Sequence, residues 1–311
     1  MGGCCSVMRR KGKRFLNINK FEVIEGRRYQ ILDDTNYALP NDIDEEERLD
    51  LQHDYMKLGF DGRNFSAPVD ALLRRGAKVL DVGCGAGSWV LDLAKEYPNS
   101  YFVGLDIAPV VPPEKKPDNV EFIEYNVLDG LPYKSNSFDF VYARILLSVF
   151  TREQWTELAV PEYARVCKPG GWVELMEFDE ALKGECENVD RLSKAWSDFA
   201  DAKGLIASPG YEICDFLKQS NYFTNVNYEE RHIPVGPMGS SKVADLGVRD
   251  WRDVYRALKL PLSMTMQVSA EHYDAIAELA SQELMKSGCT WINMRAWGQK
   301  IDYGVDQFSS I

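Results

Sequence analysis

The stretch VLDVGCGAGSWV, residues 79–90, passes from an apolar strand-like run through Gly83, Gly85 and Gly87 into a helical one. Glycines at a strand-to-helix turn permit positive φ and let a ligand lie against the backbone. The spacing is GxGxG and position 88 is Ser, so the GxGxxG fingerprint of dinucleotide sites is not met. Asp81 stands just before the first glycine. A carboxylate there repels a pyrophosphate and welcomes a cation. The next apolar run ends in Asp106-Ile107, where a carboxylate can accept both hydroxyl protons of a ribose. The one after it ends in Asn126-Val127-Leu128, an amide and apolar neighbours that can frame an adenine.

A nucleoside ligand carrying positive charge suits this set, and S-adenosylmethionine, with its sulfonium and ammonium groups, is such a ligand. The same features speak against an NAD(P)-dependent oxidoreductase. Methyl transfer is an in-line displacement in which the protein aligns a nucleophile and sometimes takes its proton. Candidates for that work are His53, Arg144 and Glu177, with Asp179 and His232 as further polar groups near strand ends. The strand ending in Tyr142-Ala143-Arg144 lacks an Asn/Asp-Pro-Pro-Tyr sequence, which disfavours planar amides and exocyclic base amines as acceptors. Trp196 and Phe199 read as core rather than as an aromatic substrate box.

These residues need a frame. AKVLDV, YFVGLDI, VEFIEYNV, FDFVYARILL and GWVELMEF read as five strands, with SWVLDLAKEY and EQWTELAVPEYARVC as helices between some of them. Such alternation predicts an α/β fold with a parallel sheet covered on both faces. The crossover APVVPPEKKPDN is too proline-rich for a regular helix. Ahead of the sheet, NDIDEEERLDLQHDYMKLG predicts a helix with an acidic first turn and a glycine stop, placing Leu49, Gln52, His53 and Met56 on one face. Beyond residue 180, Val189, Leu192, Trp196 and Phe199 mark one amphipathic helix ending at Gly204. Tyr273, Ile276, Ala280 and Leu284 mark another, ending at Gly288. NVNYEERHIPV and TWINMRAWGQK are two further strands.

With 45% apolar and 12% aromatic residues the chain is globular. Its net charge of −12 is unevenly spread: six of the 36 basic residues fall in the first twenty positions, so 30 oppose 48 acids in the remainder. An acidic body of that kind repels phosphate backbones and argues against a nucleic-acid partner. The seven cysteines show no zinc spacing, and no secretory leader precedes them, so reduced thiols and a cytoplasmic setting are expected. The opening MGGCCSVMRRKGKR fits an acylation signal. Gly2 would be myristoylated, Cys4 and Cys5 palmitoylated, and the basic run would meet an anionic membrane surface.

On YALPNDIDEEERLDLQH, VLDVGCGAGSW, GLDIAPVVPPEKKPDNVEFI and SFDFVYAR, the chain resembles the class I methyltransferases over about residues 37–300, and more narrowly the fungal LaeA-like group. The resemblance implies a Rossmann-like sheet of seven strands, the last antiparallel, with added helices over the substrate side. It implies cofactor contacts at Asp81, Gly83, Asp106 and Asn126, joined by Gly85, Gly87, Ile107 and Val127, and a Gln52-His53 helix closing over the cofactor. The expected organisation is a lipidated tail (1–20), an N-terminal extension and helix (21–65), a cofactor half (66–180) and a substrate half (181–311). The function expected is S-adenosylmethionine-dependent methylation of a small molecule, lipid or protein at the cytosolic face of a membrane. A regulatory protein that keeps the pocket without turnover is the alternative.

Overall fold

The structure, a computed structural model, describes residues 21–30, 38–108, 116–146, 148–179, 186–236, 241–287 and 289–303. The tail with Gly2, Cys4 and Cys5, the centre of the proline-rich crossover and Gly288 lie outside the described residues.

β1 (Phe21–Ile24) and β2 (Arg27–Gln30) form an antiparallel hairpin. α1 (Ile43–Gly59) follows, with Asp42 capping it by accepting from the Glu45 amide. The acidic first turn complements the positive end of the helix dipole. After α2 (Asp70–Arg75), seven strands make one sheet: β3 (Lys78–Val82), β4 (Tyr101–Asp106), β5 (Val120–Glu124), β6 (Phe138–Arg144), β7 (Cys167–Asp179), β8 (Phe223–Val235) and β9 (Cys289–Lys300). Their order is β5-β4-β3-β6-β7-β9-β8. β9 runs antiparallel to both its neighbours, while the remaining pairs are parallel. This is the expected sheet. Strand order reverses between β3 and β6, and such a switch point opens a crevice at the carboxyl ends of the strands.

Two cores lie on opposite faces. On β3, Val79 belongs to one and Leu80 and Val82 to the other, as the period of two in a strand requires. The first core is covered by α1, α3 (Ser88–Glu96), α6 (Glu187–Lys203), α8 (Lys242–Ala257) and α10 (Ala270–Ser287). α9 (Lys259–Met266) links α8 to α10. Val189, Leu192, Trp196 and Phe199 of α6 are buried there, as are Tyr273, Ile276, Ala280 and Leu284 of α10. The second core is covered by α5 (Val160–Val166) and α7 (Glu212–Gln219).

The predicted helix over EQWTELAVPEYARVC is interrupted. α4 (Arg152–Gln154), fixed by a Thr151–Gln154 capping box, widens into a π turn at Trp155–Ala159 before α5 resumes. Pro161 near the start of α5 supplies no N–H, and a widened turn accommodates that gap. The run FDFVYARILL likewise stops being a strand at Arg144, because Ile145 takes φ +55°.

An ion pair anchors the segment between α1 and α2. Glu174 of β7 is fully buried and accepts from the amides of Ser66 and Ala67 at 2.6–3.1 Å. Arg295 of β9 lies 3.8 Å from it, donates to the Arg63 carbonyl at 3.0 Å and sits 3.7 Å over the Phe60 ring.

Candidate active site

The glycine loop lies where β3 meets α3. Gly83, Gly85 and Gly87 all have positive φ (72°, 53° and 79°), which L side chains avoid. Space constrains the loop as well. A Cβ on Gly83 would come 2.4 Å from Leu146, and one on Gly85 would come 3.1 Å from Leu49 of α1. The loop is tied down from within: the Gly83 and Cys84 amides donate to the Leu105 carbonyl, the Gly85 amide to Asp106 Oδ2 at 2.8 Å, and the Gly87 amide to the Cys84 carbonyl. Those four donors are spent on the protein. A pyrophosphate would need such amides, so the loop suits a ligand that does not demand them.

Above the loop is a cavity of about 1010 Å³, open mouth included. That is near the upper end of the ~300–1,000 Å³ of ligand clefts. Gly83, Gly85, Asp106, Ile107, Asn126 and Val127 line it, and α1 contributes Arg48, Leu49 and Gln52 as a cover. The expected cofactor residues are thus brought together, apart from Asp81 and Gly87, which do not line the cavity. Gly87 is the left-handed residue that starts α3. Asp81 is 3% exposed, and burial pushes its carboxyl up to about 7 against the pull of Arg144, with Asp106 adding to the rise. Asp106 itself is raised by burial, and the amides of Ala108, Gly85 and Ile107 pull it back.

The expected acceptor-handling groups divide differently. Arg144, the last residue of β6, lines the cavity. His53 does not. It stands behind Arg144, whose Nη1 donates to His53 Nδ1 at 3.3 Å, while His53 Nε2 faces Asp92 at 3.4 Å. Arg can only donate, so Nδ1 must be bare and the ring neutral; burial lowers its pKa, Asp92 opposes that, and Arg144 reinforces it. His53 is therefore a prop for Arg144. Glu177 also lies off the wall: its Oε1 accepts from the Leu146 amide at 2.6 Å. That contact holds the turn in which Ile145, a β-branched residue, occupies the left-handed region. Such strain costs about 1–3 kcal/mol and persists only where the surroundings impose it. Asp179 and His232 do not line the cavity either, and His232 pairs with Glu230 at the surface.

Sequence reasoning missed Arg48 and its partners. Arg48 is held by Glu45 at 2.7 Å and by Asp250 of α8 at 3.3 Å, and Gln52 Nε2 also donates to Asp250 at 3.3 Å. All four side chains are buried. The helical spacing of Glu45, Arg48 and Gln52 was a usable sign of one polar face. Asp250, 198 residues from Gln52, left no sign in the sequence.

Residues 79–171 match the methyltransferase-domain family. The chain is 30% identical over 214 residues to the methyltransferase str3 of Strobilurus tenacellus, a match spanning 65% of this chain and 72% of that one. The chain belongs to the class I S-adenosylmethionine-dependent methyltransferases. S-adenosylmethionine is accordingly the cofactor of this methyltransferase, and the LaeA-like resemblance also holds. The secondary metabolism regulator laeA of Coprinopsis cinerea is 27% identical over 275 residues, covering 82% of this chain and 67% of that one. The N-methyltransferase sirN of Leptosphaeria maculans is 28% identical over 279 residues, covering 86% and 96%. No described helix of the methyltransferase is long and apolar enough to cross a membrane.

Proposed function

We propose that the cavity beneath α1 is the S-adenosylmethionine site, and that a protein working from it is tethered to the cytosolic face of a membrane. The observation that carries the site is the positive-φ glycine loop with four of its amides spent on the protein, set beneath a cavity rimmed by Asp106 and Arg144. The residues fit the cofactor's chemistry. Asp106 accepts from the ribose hydroxyls with the lone pairs its backbone contacts leave over, and Asn126, Val127 and Leu128 frame the adenine. Arg144, held in place by His53, meets the amino-acid carboxylate. Bound there, the cofactor supplies a methyl group activated by its sulfonium. The protein's share is to hold that end still under α1, to keep water out, and to align a nucleophile.

Asp106→Ala tests the assignment. Losing charge-assisted bonds to the ribose costs about 1.5–3 kcal/mol, or roughly ten- to 150-fold in Kd. Because Asp106 also clasps the Gly85 amide, Asp106→Asn, which keeps one acceptor oxygen, should lose less. Calorimetric titration with S-adenosylmethionine that found both folded variants binding as tightly as the parent would remove Asp106 from the site.

The tether rests on MGGCCS and the basic run behind it. One myristoyl chain holds a protein only reversibly, so Gly2 acylation needs support from Cys4 and Cys5 and from basic residues worth about 1 kcal/mol each near an anionic leaflet. Gly2→Ala should move the protein from the membrane to the soluble fraction with cofactor affinity unchanged, and Cys4→Ser with Cys5→Ser should give an intermediate distribution. Cell fractionation reads both. A parent protein found wholly in the soluble fraction would end this part of the proposal.

A further inference from the structure

A second cavity lies beside the first, and the two share Leu39, Arg48, Gln52, Ile145 and Ser148 as a common boundary. Its far walls are Phe178 of β7, Trp196 of α6, Trp291 of β9, and Val254, Tyr255 and Leu258 at the end of α8. It encloses about 530 Å³, mouth included, enough for a compact organic molecule. Phe178 and Trp291 face each other with ring centroids 4.7 Å apart, and Trp196 is fixed by donating from its indole nitrogen to the Ala207 carbonyl at 3.0 Å.

The lining limits what can enter. Its one charged residue is Arg48, at the boundary and already matched by Glu45 and Asp250. An anionic headgroup would lose its water there and gain no counter-charge of its own. A stretch of polypeptide would bring backbone donors and acceptors that the aromatic walls cannot satisfy. Neutral rings lose nothing by leaving water, and four aromatic side chains offer them faces and edges.

At the boundary, Gln52 is oriented. Asp250 takes its Nε2, so Oε1 is the atom turned to other uses, and it accepts no hydrogen bond from the described residues. Ser148 adds a hydroxyl at the same boundary.

We infer that this second cavity is the acceptor chamber and that it takes a small, neutral, mostly apolar ring compound, with its nucleophilic nitrogen or oxygen at Gln52 and Ser148. The inference rests on the cofactor site proposed above. In the transfer, the nucleophile's lone pair forms the new bond to the methyl carbon and the S–C electron pair returns to sulfur. The proton carried by the nitrogen or oxygen leaves to bulk water at the mouth of the second cavity. Gln52 is a positioning residue that accepts that N–H or O–H until the methyl group is taken.

Val254 lines the second cavity and not the first, which makes it the place to separate the two. Val254→Trp fills the chamber, and Val254→Phe is a smaller filling should the larger one fail to fold. The probes are 2-naphthol and 2-naphthylamine, titrated calorimetrically into the full-length protein saturated with S-adenosylhomocysteine, with naphthalene-2-sulfonate as the charged counterpart. The parent should bind the neutral probes together with S-adenosylhomocysteine and bind the sulfonate at least tenfold more weakly. The filled variant should lose at least tenfold in affinity for the neutral probes and keep its affinity for S-adenosylhomocysteine within twofold. Neutral probes that do not bind the parent, that displace S-adenosylhomocysteine, or that bind the folded variant equally well would overturn the chamber. So would a sulfonate that binds as tightly as the naphthol. A parent that binds the probes but not S-adenosylhomocysteine would instead overturn the cofactor assignment and, with it, the acceptor role.

Discussion

Gly85→Val leaves a folded protein that no longer binds S-adenosylmethionine measurably. Gly85 sits at φ +53°, and an added Cβ already comes 3.1 Å from Leu49 of the covering helix. A β-branched residue in that region costs about 1–3 kcal/mol in backbone strain alone. The loop can relieve that strain only by turning, which breaks the Gly85 amide's contact with Asp106 and pushes against α1. Strain and lost contacts together weaken the cofactor on the order of a hundredfold or more. Gly170→Ala is the matching control. Gly170 also has positive φ (74°), but nothing lies within 4 Å of its Cβ position. That change costs about 1–2 kcal/mol of stability in backbone strain and leaves cofactor affinity as it was. Isothermal titration of both variants separates a cradle from a turn; parent-like binding by Gly85→Val would mean the loop is not the cradle.

Arg295→Met produces the largest loss of stability, about 3–5 kcal/mol, because it strands the fully buried Glu174 carboxylate without its counter-ion. Burial pushes the Glu174 carboxyl up, while Arg295 and the Ser66 and Ala67 amides hold it down. Without Arg295 that balance shifts toward the protonated acid. The segment from Arg63 to Ala67 then loses its anchors, and with it the fixed exit of α1. Glu174→Gln in the Arg295→Met background removes the stranded charge while keeping an acceptor for the two amides, and should recover part of the loss. Chemical denaturation midpoints measure both. Equal midpoints for the parent and Arg295→Met would show that the pair contributes nothing to stability.

The glycine loop and the strand ends beside it were legible in the sequence because their signals are local. Glycines at a strand end, an acid closing the next strand and an amide after the third are each set by backbone geometry within a few residues. The parallel sheet carries all of them to one crevice. The continuous apolar runs of β3, β4 and β6 identified buried strands for the same reason, since both faces of the sheet are covered.

His53, Glu177 and Asp81 show where local reading stops. Each had the right chemistry and stood near a strand end or on the covering helix, yet a side chain's direction depends on what packs against it. His53 turned to Asp92 and Arg144, Glu177 to the Leu146 amide, and Asp81 lies off the cavity wall. Trp196 illustrates the reverse. Its helical spacing marked it as core, and it is 97% buried by the folded chain in the sense that only 3% remains exposed, but part of its surface forms a cavity wall.

The sequence by itself determined the fold class, the family and the kind of cofactor, because each rests on short-range patterns that survive without knowledge of the packing. It determined the acidic character of the body for the same reason. Only the tertiary structure decided how the site is finished. Asp250 reaches Arg48 and Gln52 from a helix 198 residues beyond Gln52 in the chain, and the second cavity exists only where α1, α6, α8, β7 and β9 meet. Contacts between elements so far apart are made by three-dimensional packing, and no spacing along the chain encodes them.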